Sequence, residues 1–84
     1  MELILKPKEF KHISKDSSYN HNFYEYIGMN HVNNKTILEI CHEDYDFYEY
    51  FLIRGNENIF LGCCNDSIQS ELDEIRIDFQ LFYS

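Results

Sequence analysis

Ile75, Ile77, Phe79, Leu81 and Tyr83 alternate with Glu74, Arg76, Asp78, Gln80 and Phe82. A strict period of two sends alternate side chains to opposite faces of an extended chain, so residues 74–83 are predicted to form a strand with one buried face. Such a strand is not stable alone and needs sheet partners. The rest of the chain must supply them.

Several segments qualify. Leu3 and Leu5 alternate with polar neighbours. Phe23, Ile27 and Met29 alternate with Tyr24 and Tyr26. Thr36 to His42 is rich in Ile and Leu, and Glu43-Asp44 would turn the chain. Asp46 to Arg54 reads as a long aromatic strand, with Phe47, Glu49, Phe51 and Ile53 on one face and Tyr48, Tyr50 and Leu52 on the other. Phe47, Phe51 and Ile53 are assigned to the core. Glu49 is the misfit on that face, which points to a sheet edge or to a helix over 43–53, because Tyr45, Tyr48 and Leu52 also fit a helical stripe. Gly55-Asn56-Glu57-Asn58 is a strong turn signal, after which Ile59 to Cys63 returns as a hairpin partner. Asn33-Asn34 is a second tight-turn candidate.

Two short helices are expected. Pro7 can open one over Lys8 to Ser14, burying Phe10 and Ile13. Asp66 can cap another, with Gln69 in capping-box position and Ile68 and Leu72 on one face. Residues 16–22 are polar and read as a loop. The predicted product is a single compact α+β domain over residues 1–84: a small antiparallel meander of four to six strands with one or two short helices on one face.

Charge narrows the function. The net charge is −8, unevenly spread. Residues 1–35 hold five lysines against four carboxylates, a net of +1, whereas residues 36–84 hold two arginines against eleven carboxylates, a net of −9. Direct binding to nucleic acid or to an anionic membrane needs a basic surface and is not expected. No apolar run approaches the span of a bilayer, about 18 residues or more. The three cysteines, Cys41, Cys63 and Cys64, are odd in number, with two adjacent. They make a poor disulfide framework, and no signal-like N-terminus is evident, so a reducing cytoplasm is the expected setting.

Catalytic and metal chemistry find little footing. Cys41-His42 and Cys63-Cys64 are adjacent pairs, and adjacent strand residues face apart, whereas zinc ligands need a spacer that lets them converge. Asp44-x-Asp46 lacks the glycine and spacing of a calcium loop. No basic residue near Cys63 and Cys64 in sequence would lower their pKa, Cys41 and His42 should face apart, and no glycine-rich phosphate loop is present. No cofactor and no catalytic role are expected.

The segment His42 to Phe51 interleaves carboxylates with aromatic rings and holds no Lys or Arg. It suits a positively charged partner. Glu43, Asp44, Asp46 and Glu49 are candidate phosphate-like anions, and Tyr45, Tyr48 and Tyr50 candidate anchors. The expected function is a stoichiometric inhibitor of a basic nucleic-acid-processing enzyme such as a nuclease. Phage anti-defence proteins (anti-CRISPR proteins among them) and immunity proteins of nuclease toxins solve that problem by charge. The alternative is a homo-oligomeric structural or regulatory module in which strand 74–83 pairs with a second copy.

Overall fold

A computed structural model describes residues 2–28 and 35–78. These residues form seven strands: β1 (Glu2–Leu5), β2 (Phe10–Asp16), β3 (His21–Tyr26), β4 (Thr36–His42), β5 (Phe47–Arg54), β6 (Glu57–Cys64) and β7 (Ile75–Asp78). The order across the sheet is β1-β7-β6-β5-β4-β3-β2, with every neighbour antiparallel. Among the described residues β6 and β7 pair through Cys63 and Asp78. Among the described residues the architecture is therefore a five-stranded meander, β2 to β6, joined to a two-stranded ribbon of β1 and β7.

The ribbon folds across one face of the meander. Ile75 and Ile77 of β7 are fully buried in one cluster with Tyr24, Ile37, Tyr50 and Ile68, and Leu3 and Leu5 of β1 pack beside them. Each buried isoleucine contributes about 1.5–3 kcal/mol. β7 shares this cluster with residues of β3, β4 and β5, which are not its neighbours in the strand order, so the sheet is curled, in keeping with near-equal extents of 32 × 31 × 30 Å. Register shifts in β2 (between His12 and Ser14) and opposite Tyr50/Phe51 assist the curl, as bulges increase local twist.

The expected helices are absent among the described residues, and the α+β assignment is corrected to an all-strand fold. After Pro7 there is one 3-10 turn, Pro7–Glu9, and then β2. The Glu9 carbonyl accepts from Ile27 N at 2.7 Å, and Phe10 packs edge-on against Tyr26 at 5.5 Å. Pairing with β3 overrides the helical pattern. Downstream of Asp66, the Ile68 N–H that a helix cap would have engaged donates to Glu39 Oε2 at 3.0 Å. The segment closes only a single turn, Ser70 N to Ser67 O at 3.0 Å. The helical alternative for 43–53 also fails, since β5 is strand from Phe47 to Arg54 and Glu43–Tyr45 is one 3-10 turn.

The face assignment of β5 is reversed as well. Tyr48, Tyr50 and Leu52 point to the core, and Tyr50 is fully buried. Phe51 lies on the outer face in a row with Phe23, Leu38 and Phe60 across four strands. The loop expected over 16–22 is shorter, because β2 runs to Asp16 and β3 starts at His21. The Asn33-Asn34 turn, Met29 and residues 79–83 of the terminal strand lie outside the described residues. The described part of that strand, β7, lies between β1 and β6 and is not a sheet edge. No helix among the described residues is long and apolar enough to cross a membrane.

The β5–β6 turn has a clear steric requirement. Gly55 sits at φ +59° at the first turn position, as a type II′ hairpin demands. Replacing Gly55 with Ala adds no clash but forces a Cβ into the left-handed region. A loss of about 1 kcal/mol is expected, read as a lower urea midpoint with an unchanged m-value.

Candidate functional site

The acidic–aromatic segment divides on folding. Glu43, Asp44 and Tyr45 form the 3-10 turn between β4 and β5, Asp46 follows in the left-handed region at φ 53°, and all four are exposed. Asp is among the few residues that adopt this conformation readily, so Asp46 also serves the turn. Tyr45 is 75% exposed and its ring leans on Phe47 at 6.2 Å. Phe47 in turn stacks on His42 at 4.6 Å. The tyrosine is thus displayed on a ring platform.

The other expected site residues go elsewhere. Glu49 lies on the outer face of a central strand, bonded to His42 Nε2. Tyr48 packs against the core beside Cys41, and burial first, then the nearby Cys41 and Glu39, pushes its phenol up. Tyr50 is buried and cannot anchor a partner. The exposed candidate cluster therefore comprises Glu43, Asp44, Tyr45 and Asp46, with Tyr48, Glu49 and Tyr50 placed apart from it.

It gains Tyr19, which sequence reasoning placed in an anonymous polar loop. The β2–β3 turn is fixed by Asp16, whose Oδ1 accepts from Ser18 N at 3.1 Å, and by Asn20 at φ 55°. Asn20 O accepts from Cys41 N at 3.1 Å, which ties this turn to the end of β4. Tyr19 is 67% exposed and packs near His21 at 5.7 Å. Tyr19, Glu43, Asp44 and Tyr45 all line one depression of about 360 Å³ between the two turns. On its other flank the β4–β5 turn borders a second depression of about 470 Å³ reaching Asn65.

Tyr50 leads to the other notable cluster. Glu39, on β4, is 1% exposed, and among the described residues five donors reach its carboxylate. Oε1 accepts from Tyr24 Oη at 2.9 Å and Asn22 Nδ2 at 3.4 Å. Oε2 accepts from Tyr50 Oη at 2.7 Å, Ser67 Oγ at 2.9 Å and Ile68 N at 3.0 Å. Sequence reading missed Glu39, although a lone carboxylate on the face of a strand otherwise lined by Ile37 and Cys41 was its signal.

The three thiols share one electrostatic trend. Burial first, and then neighbouring carboxylates or thiols, pushes Cys41, Cys63 and Cys64 upward, away from the reactive thiolate. Among the described residues no group of three or more His, Cys, Asp or Glu is placed to hold a metal ion. No protein family, curated protein or solved structure matches the chain.

Two outcomes follow from the Glu39 cluster. Glu39→Ala strands buried donors on Tyr24 and Ile68, while Tyr50 Oη keeps the Asp66 carbonyl at 2.8 Å, and is expected to cost about 3 kcal/mol in urea unfolding, with Glu39→Gln losing less. Burial first, and then the Glu39 charge and hydrogen bond, raises the Tyr24 and Tyr50 phenols above their ordinary range. The folded state therefore holds these protons more tightly than the unfolded chain. Stability is unaffected by them below about pH 10 and falls as pH rises beyond it. Urea midpoints at about pH 9 and pH 11 test this. An equal midpoint at both would contradict it.

Proposed function

We propose that the protein is a binding module that engages a basic protein partner through the end of the sheet formed by the β2–β3 and β4–β5 turns. One observation carries this reading. The two most exposed aromatic side chains among the described residues, Tyr19 and Tyr45, flank the same depression as the carboxylates of Glu43 and Asp44. A guanidinium or ammonium entering it meets opposite charge and two phenol side chains. Cation–π contact of this kind adds about 0.5–2 kcal/mol. Asp46 extends the negative field beyond the depression.

The sign of the charges supports one partner class. Enzymes that process nucleic acid carry grooves lined with Lys and Arg. A small acidic protein with displayed rings occupies such a groove in place of phosphates and bases, and charge complementarity speeds its arrival. The protein acts in this reading as a stoichiometric inhibitor of a nuclease or a related enzyme, without chemistry of its own.

The test begins with capture of basic nucleic-acid-binding proteins by the full chain at low salt. Bound partner should be released by added duplex DNA or RNA, and affinity should fall steeply with ionic strength. The combined variant Glu43→Gln, Asp44→Asn and Asp46→Asn keeps the turn, because Asn also accepts positive φ. It should weaken binding at least tenfold and flatten the salt dependence. Tyr19→Ala and Tyr45→Ala should each raise the dissociation rate. Unchanged binding by the charge-neutral variant would overturn the reading.

A further inference from the structure

The core is sealed at one end and open at the other. The sealed end is the Glu39 cluster. The open end lies where β1 and β2 come together. These strands are consecutive in the chain and joined by the Pro7–Glu9 turn, but they are opposite edges of the curled sheet: β1 pairs with β7 and β2 with β3. Among the described residues no strand pairs with both of them. A cavity of about 400 Å³ occupies this seam, within the usual range of small-molecule pockets. Its apolar wall comprises Leu3, Leu5, Phe10, Ile37, Leu52 and Leu61.

The mouth is polar and its charge is unlike the rest of the molecule. Lys6 arrives from the end of β1 and Lys35 from the start of β4, and both are exposed. Glu9 and Tyr26 complete it, with Tyr26 Oη donating to Glu9 Oε2 at 3.1 Å. Gly28 is buried against that bond. A Cβ there would lie 2.2 Å from Tyr26 Oη and 2.4 Å from Glu9 Oε2. The absence of a side chain at 28 is what allows the carboxylate to rest on the phenol. The remaining charged groups of the mouth are the two lysines, in a chain of net charge −8.

We propose that this cavity binds a single-chain amphiphile with an anionic head, a medium-chain carboxylate. The tail lies along Leu3, Leu5, Ile37, Leu52 and Leu61, and the head meets Lys6 and Lys35 at the mouth. The position is distinct from the Tyr19–Tyr45 depression, which lies at the other end of β4. Either assignment can fail without the other.

Titration of the full chain with sodium octanoate, sodium decanoate, decanol and decyltrimethylammonium, each below its micelle concentration, tests the proposal by calorimetry and by amide chemical shifts. Each added methylene buried should tighten binding about fourfold, so decanoate should exceed octanoate by at least tenfold. Decanoate should also exceed decanol and decyltrimethylammonium. Shifts should centre on Phe10, Ile37, Leu52 and Leu61 and leave Tyr19 and Tyr45 unmoved. The double variant Lys6→Glu, Lys35→Glu changes exposed side chains only. It should weaken decanoate at least tenfold and leave decanol unchanged. Absence of saturable shifts, equal binding of the cationic amphiphile, or decanoate binding indifferent to the lysine variant would each overturn the proposal.

Discussion

A single carboxylate ties the fold together. Glu39 sits in the middle of β4 and receives donors from β3, from β5 and from the segment after β6. An unsolvated carboxylate inside an apolar core is prohibitively costly. Here neutral hydroxyls, an amide and a backbone N–H take over the role of water. The constraint runs in both directions. The carboxylate needs these donors, and the donors fix where their own segments lie. Tyr50 is drawn inward, which sets the face of the whole of β5. Ile68 N is drawn to β4, which leaves the segment after Asp66 unable to wind into a helix.

This organisation converts an asymmetry of sequence into one of space. The lysines of the first 35 residues include the two at the open seam. The carboxylates that follow Glu39 along the chain include the exposed turn at the far end of β4. One strand therefore has a lysine-rimmed apolar opening at its start and an acidic, tyrosine-flanked end at its finish. The outer face between them carries the row of Phe23, Leu38, Phe51 and Phe60.

Strands were legible in the sequence wherever the pattern was local. Leu3/Leu5, Thr36 to His42, the Gly55 hairpin and Ile75/Ile77 all appear as the alternation implies. The helices were illegible because their competitors are distant. Nothing near Pro7 shows that Glu9 O will bond Ile27, and nothing near Asp66 shows that Ile68 N will bond Glu39. The β5 faces were misjudged for a related reason. A tyrosine reads as amphipathic and therefore as surface, but a buried acceptor can take its hydroxyl inside. Within the candidate site, the exposed turn of Glu43 to Asp46 was legible from its carboxylates. Tyr19 was not, because its importance comes from a neighbour more than 20 residues away in the chain.

The β1–β7 ribbon bears on how quickly the molecule can assemble. The meander is built from neighbouring hairpins, each closing a short loop. The ribbon joins the first strand of the described chain to the last, with Glu2 opposite Asp78. Loop closure over most of the chain is entropically slow, and folding rates fall as contacts become less local. β1 and β7 are the described strands furthest apart in sequence, so their pairing closes the longest loop. Until then the apolar floor beneath Ile75 and Ile77 stands uncovered. Assembly is thus ordered as a rapid zippering of β2 to β6 followed by a slower capping step, and it is the capping step that aggregation must outrun.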